Sequence, residues 1–247
     1  MDTDIKVIRR CEICNEPTLI EFVNLDGMSR KCSCKCVKEM RQAEDLQARI
    51  SILRDNISPV YRQCTFDNDD QREYEASRRA RKYVEVFKSP EMQEKRLGIF
   101  FYGQPGSGKT FLAMCIANAL VDRGVVVKHT TMSRITNMSI EEAEKYLYCE
   151  LLVLDDVGTE RKTETALEKA YEFVNQLSAN RTPLILTSNY DYESLIKLTK
   201  QENVPDNYIR IYDRLLERCV PIMVNKYARR KENMQKNIAE FEKLINN

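Results

Sequence analysis

The octet Gly103-Gln104-Pro105-Gly106-Ser107-Gly108-Lys109-Thr110 constrains this chain more than any other stretch. It holds three of the seven glycines and fits G-x-x-x-x-G-K-[ST] at every position. An apolar run, Leu97-Gly98-Ile99-Phe100-Phe101-Tyr102, precedes it, and a helical one, Phe111 to Ala117, follows. Strand, glycine loop and helix in that order let backbone N–H groups converge on an anion where the helix presents its N-terminus. The expectation is a phosphate-binding loop in which Gly103, Gln104, Pro105, Gly106, Ser107, Gly108, Lys109, Thr110 and Phe111 surround a nucleoside triphosphate. Lys109 would reach the β- and γ-phosphates, and Thr110 would hold Mg²⁺. A plain glycine turn between a strand and a helix is the alternative.

From about residue 57 the pattern alternates. Candidate strands lie at 97–102, 125–131, 149–155, 182–187 and 219–224. Helical patterns occupy 71–88, 109–123, 139–148, 163–180, 191–200, 207–217 and 229–245. Alternation of this kind predicts an α/β fold with a mostly parallel five-stranded sheet covered on both faces. A phosphate loop also needs a metal-holding acid on a nearby strand. Glu150-Leu151-Leu152-Val153-Leu154-Asp155-Asp156-Val157 supplies one, with both acids at the C-terminal end, where open α/β sheets bind ligands. Asp155 would hold Mg²⁺, and Asp156 would orient or deprotonate the attacking water. Pro183-Leu184-Ile185-Leu186-Thr187-Ser188-Asn189 reads as the strand between the loop and the acids. Asn189 would position water near the γ-phosphate; the alternative is a helix cap, which Ser188, Asn189 and Asp191 all suit.

With 247 residues, 43% of them apolar and 31% charged, the chain has room for one large domain and a small appendage. Its net charge of +1 means that nucleic-acid binding requires a local basic patch. No apolar run approaches the roughly 18 residues of a membrane span, and Met1-Asp2-Thr3-Asp4 lacks a signal-peptide layout. A cytoplasmic protein without a membrane partner is expected.

Five of the nine cysteines, Cys11, Cys14, Cys32, Cys34 and Cys36, fall between positions 11 and 36. In a reducing compartment such a cluster binds metal more often than it forms disulfides. Cys11-Glu12-Ile13-Cys14 is a knuckle that provides two of the four ligands Zn²⁺ takes. The second pair is Cys32 with Cys34 or Cys34 with Cys36. Residues 1–36 have too few apolar groups to fold unaided, so the metal would supply the missing stability. Residues 37–56 then form an amphipathic helix, with Met40, Ala43, Leu46, Ile50 and Leu53 on one face.

The order of these motifs resembles the AAA+ helicase-loader ATPases of the DnaC/DnaI type and the related IstB-type transposition ATPases. Ile57-Ser58-Pro59-Val60-Tyr61-Arg62-Gln63-Cys64-Thr65-Phe66 resembles the family's entry segment, which lies near the adenine. Leu154-Asp155-Asp156-Val157-Gly158 resembles the acid strand, and Leu186-Thr187-Ser188-Asn189 the sensor strand. The resemblance covers about residues 57–232. It implies a P-loop AAA+ (ASCE) ATPase domain over 57–247, a helical linker over 37–56 and a zinc-binding, helicase-docking module over 1–36.

Tyr212-Asp213-Arg214-Leu215 matches the segment bearing the arginine supplied to a neighbouring subunit, which implicates Arg214 and self-association. Tyr227-Ala228-Arg229 resembles the segment with the nucleotide-sensing arginine, which implicates Arg229, although Lys226 or Tyr227 replaces the family's serine. Cys34-Lys35-Cys36 resembles the Cys-x-Cys leading into the linker helix, which favours Cys34 and Cys36. The function implied is ATP-dependent loading of a hexameric replicative DNA helicase onto single-stranded DNA. The alternatives are an IstB-type transposition helper and a nucleotide-dependent protein-binding scaffold with little turnover, the latter because Asp156 stands where glutamate is commoner. The family often carries an extra DNA-gripping helix between its second and third strands; here Thr131 to Cys149 is short and holds Arg134 and Lys145.

Overall fold

Five short runs of five residues each build the centre of the larger part of the chain. They are strands β4 (Gly98–Tyr102), β5 (Val127–Thr131), β6 (Leu151–Asp155), β7 (Leu184–Ser188) and β8 (Cys219–Met223), in the order β5-β6-β7-β4-β8, with every neighbouring pair parallel. β6 and β7 are buried at every position; strands covered on both faces read as continuous apolar runs. The computed structural model describes residues 5–22, 29–70, 72–160, 163–199, 207–224 and 229–245. Its chain divides into two units, Met1–Ile52 and Leu53–Asn247.

In the smaller unit, β1 (Ile5–Arg10), β2 (Pro17–Phe22) and β3 (Ser29–Lys31) form a three-stranded antiparallel sheet. The sequence pattern did not announce these strands. The knuckle Cys11–Cys14 is the turn between β1 and β2, closed by Cys11 N–H donating to Glu16 O at 2.8 Å and by Asn15 in a left-handed conformation (φ 58°). Helix α1 (Lys35–Arg54) follows Cys34 directly. Of its predicted stripe, Met40 and Leu46 are exposed while Ile50 and Leu53 are buried, so the apolar face is covered only at its C-terminal end.

In the larger unit, α2 (Glu75–Val86), α3 (Pro90–Lys95) and α4 (Lys109–Val121) come before β5. α4 is apolar almost all round and is buried through Leu112, Ala113, Met114, Cys115, Ile116 and Ala117; such a helix belongs in a core. A helix that the pattern did not mark, α5 (Met132–Asn137), follows β5, and the helix expected over 139–148 is present in shorter form as α6 (Ile140–Glu144). Thr131 caps α5, and Ser139 with Glu142 forms a capping box on α6. Each cap satisfies orphan N–H groups and so fixes a helix start. α7 (Glu164–Ala179), α8 (Tyr192–Thr199), α9 (Asn207–Leu216) and α10 (Arg229–Ile245) complete the order. On α7, Leu167, Ala170, Phe173, Val174 and Leu177 turn into one core with Leu152, Leu154, Leu186, Ile211 and Tyr212. Among the described residues no helix is long and apolar enough to cross a membrane.

Candidate functional site

The glycine octet is the turn between β4 and α4. Gly103, Gly106 and Gly108 have φ of 147°, 82° and 99°, conformations that residues with a side chain rarely adopt. A Cβ on Gly103 would stand 2.5 Å from the Val224 carbonyl oxygen. Gly108 is the N-cap of α4, so the loop runs straight into a helix N-terminus. Lys109 is buried, and its Nζ donates to the carbonyls of Gly103 at 3.0 Å and Gln104 at 2.9 Å. Ser107 is 1% exposed, and its Oγ is buried with no hydrogen-bond partner. Buried hydroxyls are nearly always bonded; an unmet one inside a glycine loop beside a lysine fits a site completed by phosphate oxygens.

Thr110, the first-turn residue of α4, donates from Oγ1 to Asp155 Oδ1 at 2.9 Å, with Oδ2 at 3.3 Å. Asp155 ends β6 and is 4% exposed. A hydroxyl beside a buried carboxylate is the all-oxygen donor set that Mg²⁺ prefers. The sequence had assigned no role to Thr187. It is fully buried on β7, donates to Asp155 Oδ1 at 2.5 Å and accepts from the Asp156 backbone N–H at 2.9 Å. Asp156 itself is exposed and left-handed (φ 54°). Val157 N–H donates to Thr187 O at 2.8 Å, and Ser188 Oγ donates to Val157 O at 2.6 Å. The end of β7 is therefore stitched to both acids. Asn189 is half-buried just beyond it. The helix cap goes to Asp191, whose Oδ1 accepts from Ser194 N–H at 2.8 Å, and Ser188 is committed to Val157.

The entry segment packs on α4, where Asn118 Nδ2 donates to the carbonyls of Tyr61 and Cys64, both at 2.8 Å. Tyr61 meets His129 of β5 edge-on, with ring centroids 5.1 Å apart. Burial raises the Tyr61 pKa, and the charges of Asp155 and Asp156 raise it further. Burial lowers the His129 pKa, opposed by Asp155 and assisted by Arg134. Lys128, His129, Arg134 and Lys145 line one groove with Asp55 and Glu142.

Arg214 lies on α9, its guanidinium 5.3 Å from the centroid of Tyr171 on α7. Hydrogen bonds from Asn175 and Arg210, with the charge of Arg214, lower the Tyr171 pKa. Arg229 opens α10, but its side chain, like Lys226 and Tyr227, lies outside the described residues.

In the smaller unit the Sγ atoms of Cys11, Cys14, Cys34 and Cys36 all lie within 4.8 Å of one another. Cys36 Sγ is 3.1 Å from Cys34, 3.2 Å from Cys11 and 3.4 Å from Cys14. A tetrahedron with Zn–S near 2.3 Å sets sulfurs about 3.8 Å apart, so this set fits zinc. Cys32 stands apart, its Sγ 3.8 Å from Arg30 O. Backbone N–H groups of Cys14 and Ile13 pull the Cys11 thiol down to about 6. The crowd of sulfurs, Cys34 first, pushes Cys36 up. The thiolate, not the thiol, is the metal ligand.

Fold and site together define an ATP-binding protein of the AAA+ P-loop class. The family model for IstB-like ATP binding proteins matches residues 56–237, and the chain belongs to that family. It is 28% identical over 174 residues to the replicative helicase loader DnaC of Escherichia coli K12, covering 64% of this chain and 68% of DnaC. It has the same identity over the same length to the uncharacterized protein YdaV of that strain, covering 65% and 68%. The crystal structure of DnaI superposes with a TM-score of 0.59 at 22% identity, over 70% of this chain and 94% of DnaI. That of the DnaC helicase loader gives 0.55 at 20% identity, over 68% and 100%. At these identities the two structures share the fold.

Proposed function

We propose that this chain is an ATP-hydrolysing loader of a replicative DNA helicase. The observation that carries the reading is the cluster of Thr110, Asp155 and Thr187 beside the glycine loop, in a chain that counts a helicase loader among its curated relatives. Gly103 to Phe111 would hold the triphosphate of ATP, with Lys109 turning from its carbonyls to the β- and γ-phosphates. Thr110 and Asp155 would hold Mg²⁺, which neutralises charge developing on the transferred phosphoryl. Asp156 and Asn189 would orient the attacking water, and Arg229 would contact the nucleotide. Arg214 would enter the site of a neighbouring subunit, where a guanidinium stabilises the transition state.

The four-cysteine module, held by Zn²⁺, would grip the hexameric helicase. The groove with Lys128, Arg134 and Lys145 offers phosphate-binding charge for single-stranded DNA. ATP binding favours association between subunits, and hydrolysis releases helicase or DNA. The test is the rate of ATP hydrolysis by the full chain with and without single-stranded DNA and helicase. Stimulation that Asp155→Ala abolishes supports the reading. Undetectable turnover, unchanged by that substitution, leaves the non-hydrolysing scaffold instead. The match to IstB-like proteins favours one further reading, a transposition helper. Stimulation by a transposase and indifference to helicase would select it.

A further inference from the structure

Glu160 is an acid that the nucleotide chemistry leaves unused. It is 5% exposed, in the loop that follows Asp155 and Asp156. Its Oε2 accepts from Gly158 N–H at 2.9 Å, and its Oε1 accepts from the hydroxyl of Tyr212. Burying a carboxylate is costly unless its oxygens are bonded, and here each oxygen serves a different element. One side of the link is the acid loop. Thr159 Oγ1 donates to Asp156 O at 2.8 Å, and Gly158 (φ 96°) leaves no room for a Cβ, which would stand 2.8 Å from Leu195 Cδ2. The other side is α9. Tyr212 is fully buried between Ile211 and Leu215, and Arg214 follows two residues later.

At 100° per residue Arg214 projects from a different side of α9 than Tyr212. A hold on Tyr212 therefore sets the rotation of the helix, and the rotation sets the guanidinium. A turn of about 10° moves a side-chain tip ~6 Å from the axis by about 1 Å. Misplacement of that size costs on the order of 100-fold in rate. We infer that Glu160 and Tyr212 are positioning residues, which aim Arg214 at the neighbouring site from the loop that carries a subunit's own metal-binding acids. This inference rests on the reading of Arg214 as an arginine supplied in trans.

Mixing full-length variants tests it. Lys109→Ala cannot use ATP but still offers Arg214; Arg214→Ala can bind ATP but offers no arginine. Mixed, they should regain hydrolysis that neither shows alone. Adding Tyr212→Phe to the Lys109→Ala donor should cut that recovery by about 10- to 100-fold. Adding it to the Arg214→Ala acceptor should leave recovery within about twofold, because the acceptor's own α9 no longer supplies anything, while Gly158 N–H still holds Glu160 and Thr187 still holds both acids of the acceptor's site. A purely structural role for Tyr212 would weaken both mixtures alike. Equal losses, or a donor that recovers fully, overturn the inference while leaving the shared site intact. No recovery from the two parent variants overturns the trans-arginine reading itself, and the inference with it. Glu160→Gln in the donor gives the same readout if the phenylalanine variant does not fold.

Discussion

The hydroxyl of Thr187 holds two acids with one oxygen, donating to the Asp155 carboxylate and accepting from the Asp156 N–H. Thr187→Val keeps the shape of the side chain but strands both partners. The expected cost is about 1–3 kcal/mol of stability and about a tenfold or greater loss of hydrolysis rate, with nucleotide affinity little changed. Denaturant titration and ATPase kinetics check this, and Thr187→Ser should restore both. His129 gives a pH prediction. Burial lowers its pKa in the folded chain, below the ordinary value near 6.5, so the unfolded chain takes up the proton first. The stability tied to neutral His129 is full above about pH 6.5 and is lost as pH falls from there through the folded value. Urea midpoints should drop as pH falls below about 6.5, and less steeply in His129→Gln. The octet and both acids were legible because each sits in a contiguous motif. Thr187, Glu160 and Tyr212 were not, since what joins them is contact across 31 and 52 positions of sequence, which no local pattern records.

At the scale of elements, the five parallel strands follow from apolar runs bounded by polar turns, and all five emerge within two residues of where hydropathy sets them. Gly98 shows how tightly two of them fit. A Cβ there would lie 2.1 Å from the Leu184 carbonyl oxygen on β7, a backbone atom that cannot move aside. Gly98→Ala should lose at least about 2 kcal/mol, measured by thermal or urea unfolding. The interval after β5 misled because its pattern marks only the second of two helices, whereas the Thr131 and Ser139 caps start both. The strands of the smaller unit were missed for another reason. Ile5-Lys6-Val7-Ile8-Arg9-Arg10 is too charged to read as a strand by pattern. Its pairing with β2 is completed by the knuckle turn that the cysteines create. Cys34→Ser should release the metal and Cys32→Ser should keep it, as metal analysis of the two full-length variants can decide.

For the whole molecule, the sequence carried the class of machine further than the identity of its partners. The loop, the acid strand and the strand between them specify a AAA+ P-loop fold, and the family match agrees. What the ATP cycle acts on depends on surfaces, and surfaces leave no fixed spacing in a sequence. In the proposed cycle, ATP at residues 103–110 governs a grip on a replicative helicase made through the cysteine module. The most direct test of that cycle is deposition of the helicase on circular single-stranded DNA by the full chain. Deposition should require ATP, fail with Asp155→Ala, and fail with Cys34→Ser although that variant still hydrolyses ATP. A zinc-loaded chain that hydrolyses ATP yet neither binds the helicase nor deposits it would contradict the account.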